Sequence, residues 1–163
     1  MEPMASTVLV GVGATALMDL WSLARRRLLG VPLPDYGHVG RWIGHMRHGR
    51  FRHAAIGRAA SVRHEAVLGW SVHYLIGVAY ATLLPLLWGA AWLREPTLVP
   101  ALAVGVGTVL APFLLMQPGM GAGFFASRTP RPSVARIHSV ATHAVFGLGL
   151  YLSASALRAI APS

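Results

Sequence analysis

Apolar residues in this chain gather into four long runs separated by short polar breaks, at about residues 5–24, 67–93, 98–116 and 138–157. A helix needs about 20 mainly apolar residues to cross a bilayer, and each run meets that length. The breaks carry helix-ending residues: "REPT" after the second run, "QPGMGAG" after the third and "SRTPRPS" before the fourth. The pattern predicts an all-α integral membrane protein, one domain over residues 1–163 built as a four-helix transmembrane bundle. The long polar interval between the first two runs predicts an amphipathic helix in the connecting loop.

Composition agrees with that reading. Of 163 residues, 55% are hydrophobic and 12% charged, more apolar surface than a soluble domain of this size can hide. There is no cysteine, which excludes disulfides, thiolate metal sites and cysteine nucleophiles. A net charge of +9, carried by arginine without any lysine, suits acidic lipid or nucleic acid, so the position of the charges decides. Nine arginines lie in residues 25–66 and three in 117–137, with one each at Arg94 and Arg158. Because arginine collects in cytoplasmic loops, both long loops are expected in the cytoplasm and both termini outside; in a bacterium this means the inner membrane.

Two motifs near the start have competing readings. "ATA" at residues 14–16 imitates a signal-peptide cleavage box, but the only early charge is Glu2, so an uncleaved first span is expected. "GVGATA" at residues 11–16 fits a dinucleotide-binding pattern on paper, with Asp35 about 20 residues on. That motif needs a strand, a turn and a helix, whereas these glycines sit inside one apolar run. Close helix packing through small residues is the better account.

The loop stretch "RWIGHMRHGRFRHAAIGRAASVRHE", residues 41–65, holds six of the fourteen arginines and four of the eight histidines. Read as a helix over residues 39–59, it puts Trp42, Gly49 and Ile56 on one side and Arg41, His45, His48 and Arg52 on another. Such a segment lies in the membrane surface, with Arg41, Arg47, Arg50 and Arg52 reaching anionic lipid headgroups or a phosphate. Nucleic acid would use the same charges, but no recognition module is present and no nucleic-acid partner is expected. His45 and His48, three apart, would share a metal only if His53, His64 or Glu65 added a third ligand, and the full zinc-hydrolase signature is missing.

Ionisable groups inside hydrocarbon cost roughly 2.5–3.5 kcal/mol each at mid-span, so each asks for a partner or a purpose. Asp19, His73, Gln117 and His143 all fall within about 10 Å of the cytoplasmic interface at 1.5 Å per residue. Small and polar neighbours flank them on one face: Thr15 and Ser22 beside Asp19, Gly69 and Gly77 beside His73, Ser139 and Gly147 beside His143. Pro112 should free the Thr108 carbonyl near that level. Several uses of this polar layer stay open. One is a haem held by His73 and His143, with Arg136 or Arg41 at its propionates. Another is a divalent metal on His73, His143 and Asp19. A proton relay or carrier without metal, and hydrogen-bonded structural glue, are the others. Ser139 and His143 are one turn apart, yet no local acid orients them as a nucleophilic pair. The loop "QPGMGAGFFASRTPRP" could form an anion nest with Arg128 and Arg131 nearby, or be an ordinary tight loop, and the latter is favoured.

The segments "GATALMDLW", "GRWIGHMRHGRF", "LGWSVHYLIGVAYA", "EPTLVPAL", "PFLLMQPGMGAGFFASRTP" and "HAVFGLGLYL" together resemble a bacterial membrane family described as domain of unknown function 2938. The likeness runs through nearly the whole chain in order. It implies a small multi-pass inner-membrane protein and supplies no mechanism. By motif, the family-like positions include Asp19, Arg41, Trp42, His45, His53, Glu65, His73, Met116, Gln117 and His143. The sequence thus points to a polar Asp19/His73/Gln117/His143 site beneath a basic loop, with a small anion or lipid carrier and an accessory protein as rivals. Four spans are thin for an enclosed pathway, which makes a homo-oligomer a reasonable arrangement.

Overall fold

The computed structural model describes residues 2–160 and is all-α, with no strand among them. Four helical stretches are long and apolar enough to cross a membrane: Pro3–Leu29, Glu65–Trp88, Leu98–Met120 and Pro132–Ile160. The helices are α1 (Pro3–Leu29), α2 (Tyr36–Met46), α3 (Glu65–Ala81), α4 (Leu83–Trp88), α5 (Ala91–Arg94), α6 (Leu98–Gly107), α7 (Gln117–Met120) and α8 (Pro132–Ile160). The first and last extend beyond their apolar runs into polar flanks, since hydrogen bonding along a helix need not stop where the hydrocarbon does. The second span ends earlier than its apolar run. Gly89 has φ 80° and ψ 161°, a conformation open almost only to glycine, and α5 is a separate turn after it. In the third span, Pro112 opens a widened turn over Pro112–Met116. Its ring cannot sit against the Thr108 carbonyl and it has no N–H to give, so the helix widens there before α7.

The chain forms two compact units. The first takes in the chain to Leu33, Tyr74–Thr108 and the chain from Val140, so all four spans contribute to it. Its core is Val10, Ala14, Ala81, Leu84, Trp92, Ala101, Val104, Phe146, Leu150 and Ala154. Small residues let its helices touch backbone to backbone. A Cβ on Gly11 would meet the Val78 backbone, one on Gly105 the Gly147 backbone, and one on Gly149 the Ala14 Cα at 2.8 Å. Such contacts favour association where lipid tails supply no hydrophobic drive between helices. The "GVGATA" glycines therefore lie inside α1 and serve packing.

The second unit is Pro34–His73 with Val109–Ser139 and contains both long loops. Here the expected helix over residues 39–59 is corrected: α2 stops at Met46. Gly49, at φ 72°, takes the left-handed position that ends a helix, and the Arg50 and Gly49 N–H groups bond back to the His45 and Met46 carbonyls at 3.2 and 2.9 Å. The chain then runs irregularly, with one tight 3-10 turn at Ile56–Arg58, until α3 begins. His48 and Arg52 consequently do not share a helical face with Arg41 and His45.

Candidate functional site

The second unit is organised around Arg41. Its guanidinium makes a forked ion pair with Glu65, Nη2 to Oε1 at 2.6 Å and Nε to Oε2 at 2.9 Å. Its Nη1 donates to the Ile56 and Ala59 carbonyls, each at 3.2 Å. The two side chains are only 14% and 21% exposed, and the Glu65 hydrogen bond raises the Arg41 pKa above its ordinary value. Glu65 also accepts the Val62 N–H at 2.8 Å. One charged pair thus satisfies backbone groups that an irregular loop would otherwise leave unpaired. Trp42 adds a second fastening: its Nε1 donates to the Phe51 carbonyl at 2.9 Å and its ring lies against Gly119. The His53 N–H then bonds the Gly119 carbonyl at 2.9 Å, joining the two long loops.

Behind this frame sits a pair of imidazoles. His45 Nδ1 and His53 Nε2 are 2.7 Å apart, with the rings stacked at a centroid distance of 4.9 Å. Both residues are buried. Burial lowers the His45 pKa below its ordinary value, and the charges of His53 and Arg50 lower it further, while a hydrogen bond to the Ala60 backbone acts the other way. His45 borders a cavity of about 290 Å³ that is also lined by Arg47, His48, Arg50, Ser61 and Arg63. The segment 61–63 is brought there by Gly44, whose missing side chain leaves room for Val62: a Cβ would come within 2.8 Å of its methyl group. The carbonyls at the end of α2 are used by the glycine cap, so the cavity is bordered mainly by cations.

Three of the four intramembrane residues expected to form one site, Asp19, His73 and His143, have a partner in their own unit. In the first unit, Asp19 accepts the Tyr74 hydroxyl at 3.0 Å, and His143 Nδ1 lies 3.0 Å from the Thr108 hydroxyl, which itself donates to Gly105. In the second, His73 stacks on Tyr36 at 4.1 Å, with Trp70 against the same tyrosine at 4.5 Å. Gln117 Oε1 is buried without a hydrogen-bond partner among the described residues. Thr15 and Ser22 bond carbonyls of their own helix. Among the described residues no group of three or more His, Asp or Glu side chains is placed to hold a metal ion.

The loop residues sort differently from their sequence spacing. His45 pairs with His53, eight residues away, and His48 instead accepts the Arg47 Nε at 3.0 Å. Arg47 and Arg50 border the cavity, whereas Arg41 is committed to Glu65 and Arg52, Arg128 and Arg131 are exposed. In the loop of residues 117–132 the N–H groups of Gly121, Ala122, Ser127, Arg128 and Thr129 all bond carbonyls of the same loop, the arrangement of a self-contained tight turn. Ser61 and Arg63 were missed by sequence reasoning, because only a chain reversal over Gly44 brings them beside Arg47. Tyr36 and Trp70 were missed too; aromatic residues flanking a span were the available signal.

Residues 8–157 match the family model described as "Protein of unknown function (DUF2938)", and the chain belongs to that family. No curated protein and no solved structure matches the chain.

Proposed function

We propose that the protein is a multi-pass protein of the bacterial inner membrane that turns its arginine-rich unit to the cytoplasm, both chain ends to the periplasm, and holds anionic lipid headgroups with that unit. The observation that carries this reading is the joining of the two arginine-bearing loops, residues 34–64 and 117–131, within one compact unit through the His53 to Gly119 hydrogen bond. Loops that bond to each other lie on one side of a membrane. That unit holds nine arginines against two carboxylates, Asp35 and Glu65, and Glu65 is neutralised by Arg41. Each arginine near an anionic leaflet contributes about 1 kcal/mol of attraction. Asp19, His73 and His143 then act as internal fasteners, an accessory role consistent with the partners each finds within its own unit.

The absence of native cysteine gives a clean test. Met4→Cys and Arg52→Cys, both at exposed positions, are treated with a membrane-impermeant maleimide in intact spheroplasts and after lysis. Labelling of Cys at 4 in intact spheroplasts and at 52 only after lysis is expected. The reverse pattern overturns the orientation. For the lipid interaction, the protein should melt higher in phosphatidylglycerol than in phosphatidylcholine nanodiscs at low salt, and equal melting overturns it.

A further inference from the structure

Arg47, Arg50 and Arg63 border a single cavity, and three guanidinium groups so placed repel one another. Nothing among the described residues offsets them. No carboxylate lines the cavity, and Glu65, the only carboxylate between residues 36 and 94, is fully engaged by Arg41 and the Val62 N–H. Arg47 and Arg63 are each steadied through Nε by the following histidine, at 3.0 Å to His48 and 2.9 Å to His64. This leaves the terminal nitrogens of both forks for another acceptor, the geometry in which arginine binds phosphate oxygens. Ser61 adds a hydroxyl. At about 290 Å³ the cavity has room for several waters' worth of oxyanion, taking about 30 Å³ per water.

The imidazole pair behind it gives the site a second property. His45 Nδ1 faces His53 Nε2 at 2.7 Å, a contact between two ring nitrogens that needs one proton between them. His53 Nδ1 is buried with no hydrogen-bond partner among the described residues. The charged groups around the pair are arginines, Arg41 from α2, Arg50 beyond its end, and Arg47 and Arg63 at the cavity, with neutral His48 beside Arg47 and Glu65 spent on Arg41. Burial first, and then the neighbouring charges, Arg50 and Arg41 among them, hold the His45 pKa below its ordinary value, and an anion in the cavity would cancel the arginines' part of that.

We propose that this cavity binds a phosphate group, free or carried on a lipid, through Arg47, Arg50 and Arg63, and that binding is coupled to proton uptake by the His45–His53 pair. By linkage, a ligand that promotes protonation binds more tightly when protons are abundant. The site does not depend on which face of the membrane it occupies.

The full chain in phosphatidylcholine nanodiscs is titrated with inorganic phosphate, and in a parallel arm phosphatidic acid binding is read by native mass spectrometry. Saturable binding in the first arm identifies the phosphate group alone as sufficient; binding in the second arm only identifies a lipid-borne phosphate. In whichever arm binds, changing Arg47, Arg50 and Arg63 together to Gln should weaken it at least about tenfold. These three side chains are exposed, so the variant should keep the wild-type circular dichroism. Undiminished binding by the folded variant, or no binding in either arm, overturns the site. For the coupling, affinities are compared at about pH 6 and about pH 8. Phosphate has its own second ionisation near this range. The reading is therefore the difference between wild type and His53→Gln: wild type should gain more on acidification, and identical profiles overturn the coupling. Histidine ¹⁵N shifts in the wild type, followed as phosphate is added near pH 7, give a check that needs no variant. Movement toward imidazolium is expected, and unmoved shifts at saturation count against it.

Discussion

In the first compact unit, neighbouring helices meet through residues with almost no side chain: Gly105 on Gly147, Gly149 on Ala14, Gly11 on Val78. In the second, a long charged side chain does the joining, as Arg41 bonds Glu65 and gathers the Ile56 and Ala59 carbonyls. The contrast follows from what each unit must satisfy. Helices in hydrocarbon have already paired their backbone groups internally, so what remains to be gained is close contact and a few hydrogen bonds. An irregular loop has carbonyls left over, and arginine, with five N–H donors in a fixed fork, can take several at once. Changes of shape should therefore damage the first unit most, and changes of charge the second.

The largest effect is expected from Gly105→Val. A branched side chain at that position overlaps the Gly147 backbone, which cannot rotate away, and the helices must separate. A loss of about 3 kcal/mol is expected, toward the upper end for overpacking. Unfolding in mixed detergent and dodecyl sulfate micelles measures it, and a wild-type midpoint would break the comparison at its first limb. Next comes Arg41→Met, which leaves Glu65 half-buried without its cation and releases the loop carbonyls. A cost of about 2–3 kcal/mol is expected, somewhat below that of breaking a fully buried pair. Hydrogen exchange should show it as faster exchange in residues 50–62 with protection in α6 unchanged. The double variant with Glu65→Met should recover part of the loss, because the stranded carboxylate goes too.

The two units were unequally legible in the sequence. The four spans, the small-residue faces around Gly69, Gly77 and Gly147, and the disturbance at Pro112 follow from hydropathy and from backbone sterics, which act over a few residues. The loop does not yield to the same reading. A helical period extended over residues 39–59 put His45 beside His48, yet Gly49 ends the helix and His45 finds His53 instead. That single glycine was visible; the course of the chain beyond it was not, because the Arg41–Glu65 pair that fastens it spans 24 residues. The polar residues of the spans were expected to need partners, and Gln117 Oε1 has none among the described residues. The partners themselves, Tyr74 for Asp19 and Thr108 for His143, required the packing.

A smaller effect is expected from Tyr74→Phe, which removes the hydroxyl donated to Asp19 at 3.0 Å. Interhelical hydrogen bonds in membranes are worth about 0.6 kcal/mol on average, and a loss of about 0.6–1 kcal/mol is expected in the same unfolding assay. A loss as large as that of Gly105→Val would mean that polar contacts, not close approach, dominate the first unit.

The smallest change in overall stability should come from acidification, because it acts on one local pair. Burial and the nearby charges hold the His45 pKa below its ordinary value near 6.5, so the unfolded loop takes up a proton more readily than the folded one. Its full stability is therefore present above about pH 6.5. It declines as the pH falls through that value and levels off once the folded His45 also protonates. Hydrogen exchange corrected for intrinsic rates should show residues 47–62 opening more often at about pH 5.5 than at about pH 7.5, with the Gly105 region unaffected. Added phosphate should restore protection at the lower pH if the cavity arginines receive it, since the anion favours the protonated pair. Equal or greater protection in acid without any anion would show that the His45 pKa is not lowered in the folded loop, and would remove the electrostatic difference between the two units.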